Sequence, residues 1–184
     1  MSREVSFHVA GTPSPKGSMR AFTMRYGDGR VGARVEADNV KKARPWIARV
    51  TDAARQALDA RAAFRGEALR IECVFALARP AGHFGTRGLR ASAPNAPLTK
   101  PDLDKLARQI GDCLKGICYD EDSRIVQFVS SKVYAGDAQT TGVAVWLRPV
   151  NAGEVFAAEV RYTSLAGGGQ RQPELGAGEH TNGG

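Results

Sequence analysis

The sequence has few of the residues that form disulfides or bind structural metal ions, with three cysteines and three histidines in 184 residues. No pair of histidines lies near Cys73, Cys113 or Cys118, so we expect reduced core thiols and no zinc site. No apolar run approaches the roughly 20 residues that span a bilayer. The short alternating run after Arg3 and Glu4 is not a signal peptide, which favours a cytoplasmic protein.

Acidic residues are outnumbered by basic ones, and the imbalance is uneven along the chain. The last 34 residues carry two basic and four acidic side chains, so the net charge of +7 rises to +9 over residues 1–150. A basic domain of this kind favours a polyanionic partner. Residues 151–184 are rich in Gly, Gln and Glu, which predicts a largely disordered extension behind a single domain, 1–150.

Hydrophobic periodicity predicts both strands and helices. Alternating and β-rich runs predict strands over 5–10, 68–78, 125–135 and 141–148, and the turn at 27–29 predicts a hairpin between 21–26 and 30–35. Steps of three and four predict helices over about 42–62, with Pro45 in its first turn, and over about 102–116. The predicted fold class is α+β, a mixed β-sheet of about four to five strands of open order with two helices packed on it.

The second predicted helix carries the residues that point to chemistry. Pro101 cannot lie inside it and Asp102 suits its N-cap or first turn, so Asp102 and Asp104 open the helix. Asp122 stands in the acidic loop before the next strand, and we expect that strand to return it close to the other two carboxylates. Converging carboxylates of this kind suit Mg²⁺ or Mn²⁺. The alternative is that the first-turn aspartates only cap the helix.

Four short motifs stand in and after the second predicted helix. They are Lys-Pro-Asp-Leu-Asp-Lys-Leu at 100–106, Asp-Cys-Leu-Lys-Gly at 112–116, Tyr-Asp-Glu-Asp-Ser-Arg-Ile at 119–125, and Ser-Lys at 131–132. Together they resemble the RusA family of Holliday-junction resolvases. The resemblance implies a small homodimeric, Mg²⁺-dependent endonuclease that cuts four-way DNA junctions in recombination and repair. Members of this family are common in phages and prophages.

The same resemblance assigns roles to individual residues. The metal-binding aspartates of the family fall on Asp102, Asp104 and Asp122, and its basic residue one turn into the helix falls on Arg108. Two positions depart from the family pattern, which often has Asn at Lys105 and Lys at Arg108. Arginine keeps a cation near the scissile phosphate but does not donate a proton at neutral pH.

Two basic loops are the predicted DNA contacts, together with two lysines near the aspartates. Lys16 and Arg20 lie in the Pro-rich loop 11–20, which is similar to a loop of phage members of the family. The long loop 79–100 contributes Arg87, Arg90 and Lys100, and Lys105 and Lys132 complete the set. Alternatively, these are solvated loop charges, and the long loop is a flexible insertion.

Two other functions remain open at this stage. One is a DNA-binding phage protein of the same fold that does not cleave, which the departures at Lys105 and Arg108 keep in play. The other is a nuclease of the same chemistry that acts on forks or flaps. No glycine-rich loop ending in Lys-Ser or Lys-Thr is present, so we expect no nucleotide cofactor.

Overall fold

A computed structural model describes residues 3–37, 40–58, 63–136 and 140–155. The chain divides into two compact units, Met1–Val150 and Asn151–Gly184. The predicted disorder of the C-terminal extension falls mainly on residues beyond 155, which lie outside the described part. No helix of the described residues has both the length and the apolar character needed to cross a membrane.

The main sheet is mixed and has four strands, in the order β1, β8, β4, β7. Strand β1 is antiparallel to β8 and β8 to β4, whereas β7 runs parallel to β4. Two small antiparallel pairs, β2–β3 and β5–β6, stand outside it. The strands are β1 Val5–Ala10, β2 Met19–Arg25, β3 Val31–Ala37, β4 Leu69–Leu77, β5 Phe84–Gly85, β6 Gly88–Leu89, β7 Ile125–Tyr134 and β8 Gly142–Pro149.

Strand β4 is the centre of the hydrophobic core. Its alternate residues Leu69, Ile71, Cys73, Phe75 and Leu77 are buried, and the residues between them are only half-buried. This is the period of two that a strand imposes on side chains covered on one face. The predicted α+β class and mixed sheet are therefore confirmed.

Two helices contact each other and the sheet, α1 against β1 and α2 against β7. Helix α1 spans Val40–Leu58 and buries Trp46, Val50 and Ala54, at helical spacing. The prediction that Pro45 lies in the first turn of α1 is wrong, because the helix begins at Val40 and Pro45 lies inside it. An interior proline lacks the N–H and its ring crowds the carbonyl four residues earlier, yet the residues from Val40 onward already form a helical turn ahead of Pro45.

Helix α2 spans Leu103–Leu114 and connects the long loop after β4 to the turn before β7. Leu106, Ile110 and Leu114 are its fully covered residues, as the apolar stripe predicts. The three cysteines are free and buried, and burial raises the pKa of Cys73 to about 12 and that of Cys118 to about 11. These thiols are therefore protonated core residues at neutral pH.

The contact between β1 and β8 leaves no space for a side chain at Gly142. A Cβ at this position meets the backbone carbonyl oxygen of Val9, which cannot move without disturbing the strand pair. We expect Gly142→Ala to lower the free energy of unfolding by about 1–3 kcal/mol, the usual cost of overpacking. Urea denaturation of both proteins measures this difference.

Gly82 offers the matched control, because a Cβ there meets nothing within 4 Å. Gly82→Ala is expected to change the free energy of unfolding by less than about 0.5 kcal/mol. Equal stability of the two alanine variants would show that the strand contact at Gly142 is not as tight as described.

Candidate active site

The start of α2 presents two carboxylates that the helix does not use for its own hydrogen bonds. Asp102 is the N-cap residue, with φ −69° and ψ 135°, yet its side chain makes no capping hydrogen bond. One of its oxygens lies 3.2 Å from the Lys105 Nζ. Asp104 is exposed in the first turn, one helical turn before the exposed Arg108. The capping role therefore does not account for the Asp102 carboxylate.

Lys132 holds the backbone that leads into α2. Its Nζ donates hydrogen bonds of 3.0 Å to the carbonyl oxygens of Thr99 and Pro101. Lys132 pairs with Phe75 in the register of β7 and β4, so it starts from the core-facing side of the sheet. The lysine that the sequence predicts as a DNA contact thus fixes the segment directly before Asp102.

A basic cleft of about 390 Å³ lies beside Asp102. Three of the predicted DNA contacts, Lys16, Lys100 and Lys105, line this cleft together with Asp102. The backbone N–H of Lys16 donates to the Lys105 carbonyl oxygen at 3.0 Å, and the Lys16 Nζ lies 2.6 Å from the Asp112 carboxylate. These contacts hold the loop that precedes β2 along one side of α2.

The three predicted arginine contacts are not among the described residues that line this cleft. Arg87 and Arg90 belong to the β5–β6 hairpin and its flank, and both are exposed. Arg90 is partly fixed, since its Nε donates to the Phe84 carbonyl oxygen at 3.1 Å. Arg20 lies in β2 with its backbone opposite Glu36, and its side chain is outside what the structure describes.

Asp122 lies near the opposite end of α2 from Asp102. It opens a one-turn 3₁₀ helix just before β7, and its carboxylate is 3.2 Å from the Nζ of Lys115, which also lies 2.9 Å from Glu121. Lys115 and the Lys105 that contacts Asp102 are ten residues apart, about 15 Å along a helix axis. The chain enters β7 from the C-terminal end of α2, so Asp122 meets the last turn.

The expected convergence of three carboxylates is therefore not seen within one chain. No group of three or more His, Cys, Asp or Glu side chains among the described residues is placed to hold a metal ion. The donor chemistry itself suits Mg²⁺, because Asp102 and Asp104 offer exposed oxygen ligands. Mg²⁺ is commonly bound through one or two carboxylates plus substrate phosphates.

Residues that the sequence patterns did not single out shape the surroundings of Asp122. Burial, together with the charges of Asp122 and Asp112, raises the pKa of Tyr119, whose hydroxyl donates to the Gly111 carbonyl oxygen at 2.8 Å. Hydrogen bonds to Glu121 and Asp122 raise the pKa of Lys115. The sequence patterns assigned no role to Lys115, because its contacts with Glu121 and Asp122 cross a turn and do not follow helical spacing. In the sequence, only Gly116 indicates that turn.

That turn is fixed by backbone geometry. Gly116 has a φ of +76°, which favours glycine, and its N–H donates to the Tyr119 carbonyl oxygen at 2.7 Å. Next along the chain, hydrogen bonds from Arg124 lower the pKa of Asp120, so this carboxylate is paired within the loop. Asp120 is thereby distinguished from Asp122, which faces α2.

Comparison with known proteins bears directly on this region. No curated protein matches the chain. A protein-family model, Endodeoxyribonuclease RusA, matches residues 14–145, a stretch that contains the basic cleft, both ends of α2 and all of β7. On this match over most of its length, the chain belongs to the RusA family of endodeoxyribonucleases.

Proposed function

We propose that this protein is a Mg²⁺-dependent endonuclease that resolves four-way DNA junctions, and that residues 1–150 carry this activity. The observation that carries the proposal is the pair of carboxylates at the start of α2. Asp102 is not used as a helix cap and Asp104 is exposed, and Asp102 borders a cleft lined by three lysines. Carboxylates next to a cationic cleft are the elements that metal-assisted phosphodiester hydrolysis requires.

Asp102 and Asp104 would hold the metal ion, with Asp122 of the partner subunit as a third ligand. Mg²⁺ or Mn²⁺ at this position would supply an activated water and neutralise charge on the leaving oxygen. The ion pair between Lys105 and Asp102 does not block this, because both side chains are about 40% exposed and such pairs are weak. Lys105 is then free to turn toward a DNA phosphate.

The neighbouring cations have separate roles in this proposal. Arg108, one turn after Asp104, stabilises the negative charge that develops on the phosphate in the transition state. Lys16 and Lys100, on the walls of the cleft, neutralise phosphates of the bound strand and set its position without reading its sequence. Lys132 positions Asp102 through the carbonyl groups of Thr99 and Pro101.

The substrate proposed is branched DNA, and a comparison of DNA shapes tests it. Purified protein is incubated with labelled four-way, forked and linear DNA, with and without Mg²⁺. We expect paired cuts in opposed strands of the four-way junction, and little cutting of linear duplex. Preferential cutting of forks supports the fork or flap nuclease instead, and binding without any cutting supports the non-cleaving DNA-binding protein.

A homodimer is part of the proposal, because paired cuts need two sites related by the symmetry that the junction shares. Among the described residues, β7 pairs with β4 alone and forms one edge of the sheet. Val126, Val129 and Val133 on this strand are between 39% and 54% exposed. Antiparallel pairing of β7 with its copy would carry Asp122 of the partner subunit toward the Lys132 end of the first chain, nearer Asp102.

Introducing a charged side chain on the exposed edge of β7 tests the proposed dimer. The only charged residue of β7 is Lys132, and its amine is turned inward to Thr99 and Pro101. Because lysines on an edge strand oppose strand pairing, we expect Val129→Lys to shift the protein from dimer to monomer with unchanged circular dichroism. Sedimentation velocity measures this, with Val31→Lys, an exposed valine of β3, as the control. A dimeric Val129→Lys protein would rule out the β7 edge as the interface.

A further inference from the structure

The β5–β6 hairpin exposes a pair of large apolar side chains that have no role in the core or in the basic cleft. Phe84 and Leu89 lie directly opposite each other across the hairpin, and they are 43% and 52% exposed. The tip between them is the turn from Gly85 to Gly88, where Gly88 has a φ of +100°. Two large, partly exposed apolar side chains at the same level of this hairpin form a small apolar edge in water.

The hairpin is fixed to the body of the domain rather than hanging from it. The ring of His83 packs edge-on against the ring of Tyr134 with centroids 5.6 Å apart. The guanidinium of Arg79 stacks on the same tyrosine at 4.0 Å and donates to the Pro94 carbonyl oxygen at 2.8 Å. A hydrogen bond closes the base of the hairpin, because the N–H of Arg90 donates to the His83 carbonyl oxygen at 2.9 Å.

The anchor of the hairpin is adjacent to the candidate active site. Tyr134 is the last residue of β7, two residues after the Lys132 that holds Thr99 and Pro101. Strand β7 thus connects the hairpin base and the backbone before Asp102 through one rigid element. A ligand bound by the hairpin is therefore held at a fixed position relative to the Asp102 and Asp104 carboxylates.

The charge around the apolar pair indicates which partner it fits. Arg87 stands in the turn and Arg90 flanks β6, both exposed, and no acidic residue occurs between Ala78 and Pro101. A cationic border favours a polyanion over another copy of this basic chain. Nucleobases are the apolar surface that a polyanionic nucleic acid offers, and aromatic and aliphatic side chains stack on them once they are unpaired or unstacked.

We propose that Phe84 and Leu89 form a wedge that stacks on unstacked bases at the branch point of a DNA junction, with Arg87 and Arg90 on the adjoining phosphates. This inference rests on the branched-DNA binding of the proposed function and adds a contact to bases, which the lysines of the basic cleft do not supply. In a continuous duplex the bases are stacked on each other, so the wedge has no surface to engage. It therefore contributes to the preference for branched DNA and not to binding in general.

The test compares Phe84→Ala with Leu98→Ala in two binding assays. Leu98 is a 78% exposed leucine of the same long loop, outside the hairpin. We expect Phe84→Ala to weaken binding to a four-way junction by roughly tenfold or more, as for loss of one stacked base, and to leave binding to linear duplex unchanged. Phe84→Tyr should restore the junction affinity, because the ring is retained.

A fluorescent adenine analogue, 2-aminopurine, placed at the branch point reports base stacking directly. Wild-type protein is expected to increase its fluorescence by unstacking it, and Phe84→Ala to leave it unchanged. In contrast, Arg87→Gln should weaken junction and duplex binding by the same factor and reduce the slope of log affinity against log salt by about one.

The outcomes separate the wedge from the function on which it rests. A wild-type preference for junctions that survives Phe84→Ala, or a fluorescence increase that persists in it, overturns the wedge and leaves the proposed function intact. Wild-type protein that binds junctions no better than duplex overturns both. Self-association lost on Phe84→Ala, with DNA binding unchanged, would assign the apolar pair to a second copy of the chain instead.

Discussion

Asp104→Asn is expected to reduce Mg²⁺-dependent cutting of a four-way junction by roughly 10³-fold, which corresponds to about 4 kcal/mol of transition-state stabilisation. The amide has the size of the carboxylate but lacks its charge, so it is a much poorer ligand for a hard cation. Because Asp104 is exposed and forms no ion pair among the described residues, its loss leaves the fold and the basic cleft in place. Junction binding should therefore equal that of the wild type, or be slightly tighter.

Single-turnover cleavage and binding in Ca²⁺ measure the two parts separately. Asp52→Asn is the matched control, since Asp52 is an exposed helical aspartate of α1 whose ion pair among the described residues is with Arg55, three positions on. It should cut at the wild-type rate. An Asp104→Asn protein that retains cutting within about tenfold of the wild type would remove Asp104 from the active site.

Ile110→Ala is expected to have the largest effect on stability, a loss of about 2–5 kcal/mol in the free energy of unfolding. Ile110 lies at the middle of α2, is 0% exposed and belongs to the hydrophobic core cluster. Its truncation removes packing and leaves a cavity beneath the helix whose start carries Asp102 and Asp104. Since many domains are stable by only about 5–15 kcal/mol, this loss would remove a large part of the folding stability.

Urea denaturation followed by circular dichroism measures this loss, with Leu98→Ala as the control for an exposed leucine. That control should change the free energy of unfolding by less than about 0.5 kcal/mol. At temperatures where Ile110→Ala is folded, its junction cutting should approach that of the wild type, because it alters no site residue. A stability loss below about 1 kcal/mol would mean that α2 is not packed on the core as described.

Local patterns in the sequence were enough to predict most of the fold. Strict alternation predicted β4, and the three-and-four spacing from Leu103 predicted α2, because side chains covered on one face repeat with the period of their own element. The order of the strands was not predictable, since β8 inserts between β1 and β4 although it follows β7 in the chain. Pairings of this kind depend on contacts distant in sequence.

The candidate site was predictable in its residues and not in its geometry. Pro101 and the apolar stripe behind it predicted Asp102 at the N-cap or in the first turn, and the structure places it at the N-cap. The separation of Asp122 from Asp102 could not be predicted in this way, because it depends on the length of α2 and on the direction from which the chain enters β7. Lys132 was expected near the site, but its hydrogen bonds to Thr99 and Pro101 depend on the register between β7 and β4.

For the long loop 79–100 as well, composition predicted the general character of the segment, whereas its contacts could not be predicted. Its glycines and prolines predicted an irregular segment, and its arginines predicted an exposed basic surface. The β5–β6 hairpin within it has two residues in each strand, too few for an alternating pattern to be recognised. The stacking of His83 and Arg79 on Tyr134, which anchors the hairpin, joins residues about 50 positions apart along the chain.

A titration of metal into the wild-type protein with a labelled four-way junction tests the central proposal most directly. Without divalent metal, in EDTA, the junction should be bound and remain intact. As Mg²⁺ or Mn²⁺ is added, paired nicks at the branch should appear and reach a plateau as the metal sites fill. A junction that stays bound but uncut at every metal concentration, or one that is cut equally well in EDTA, would contradict the assignment of a metal-dependent nuclease.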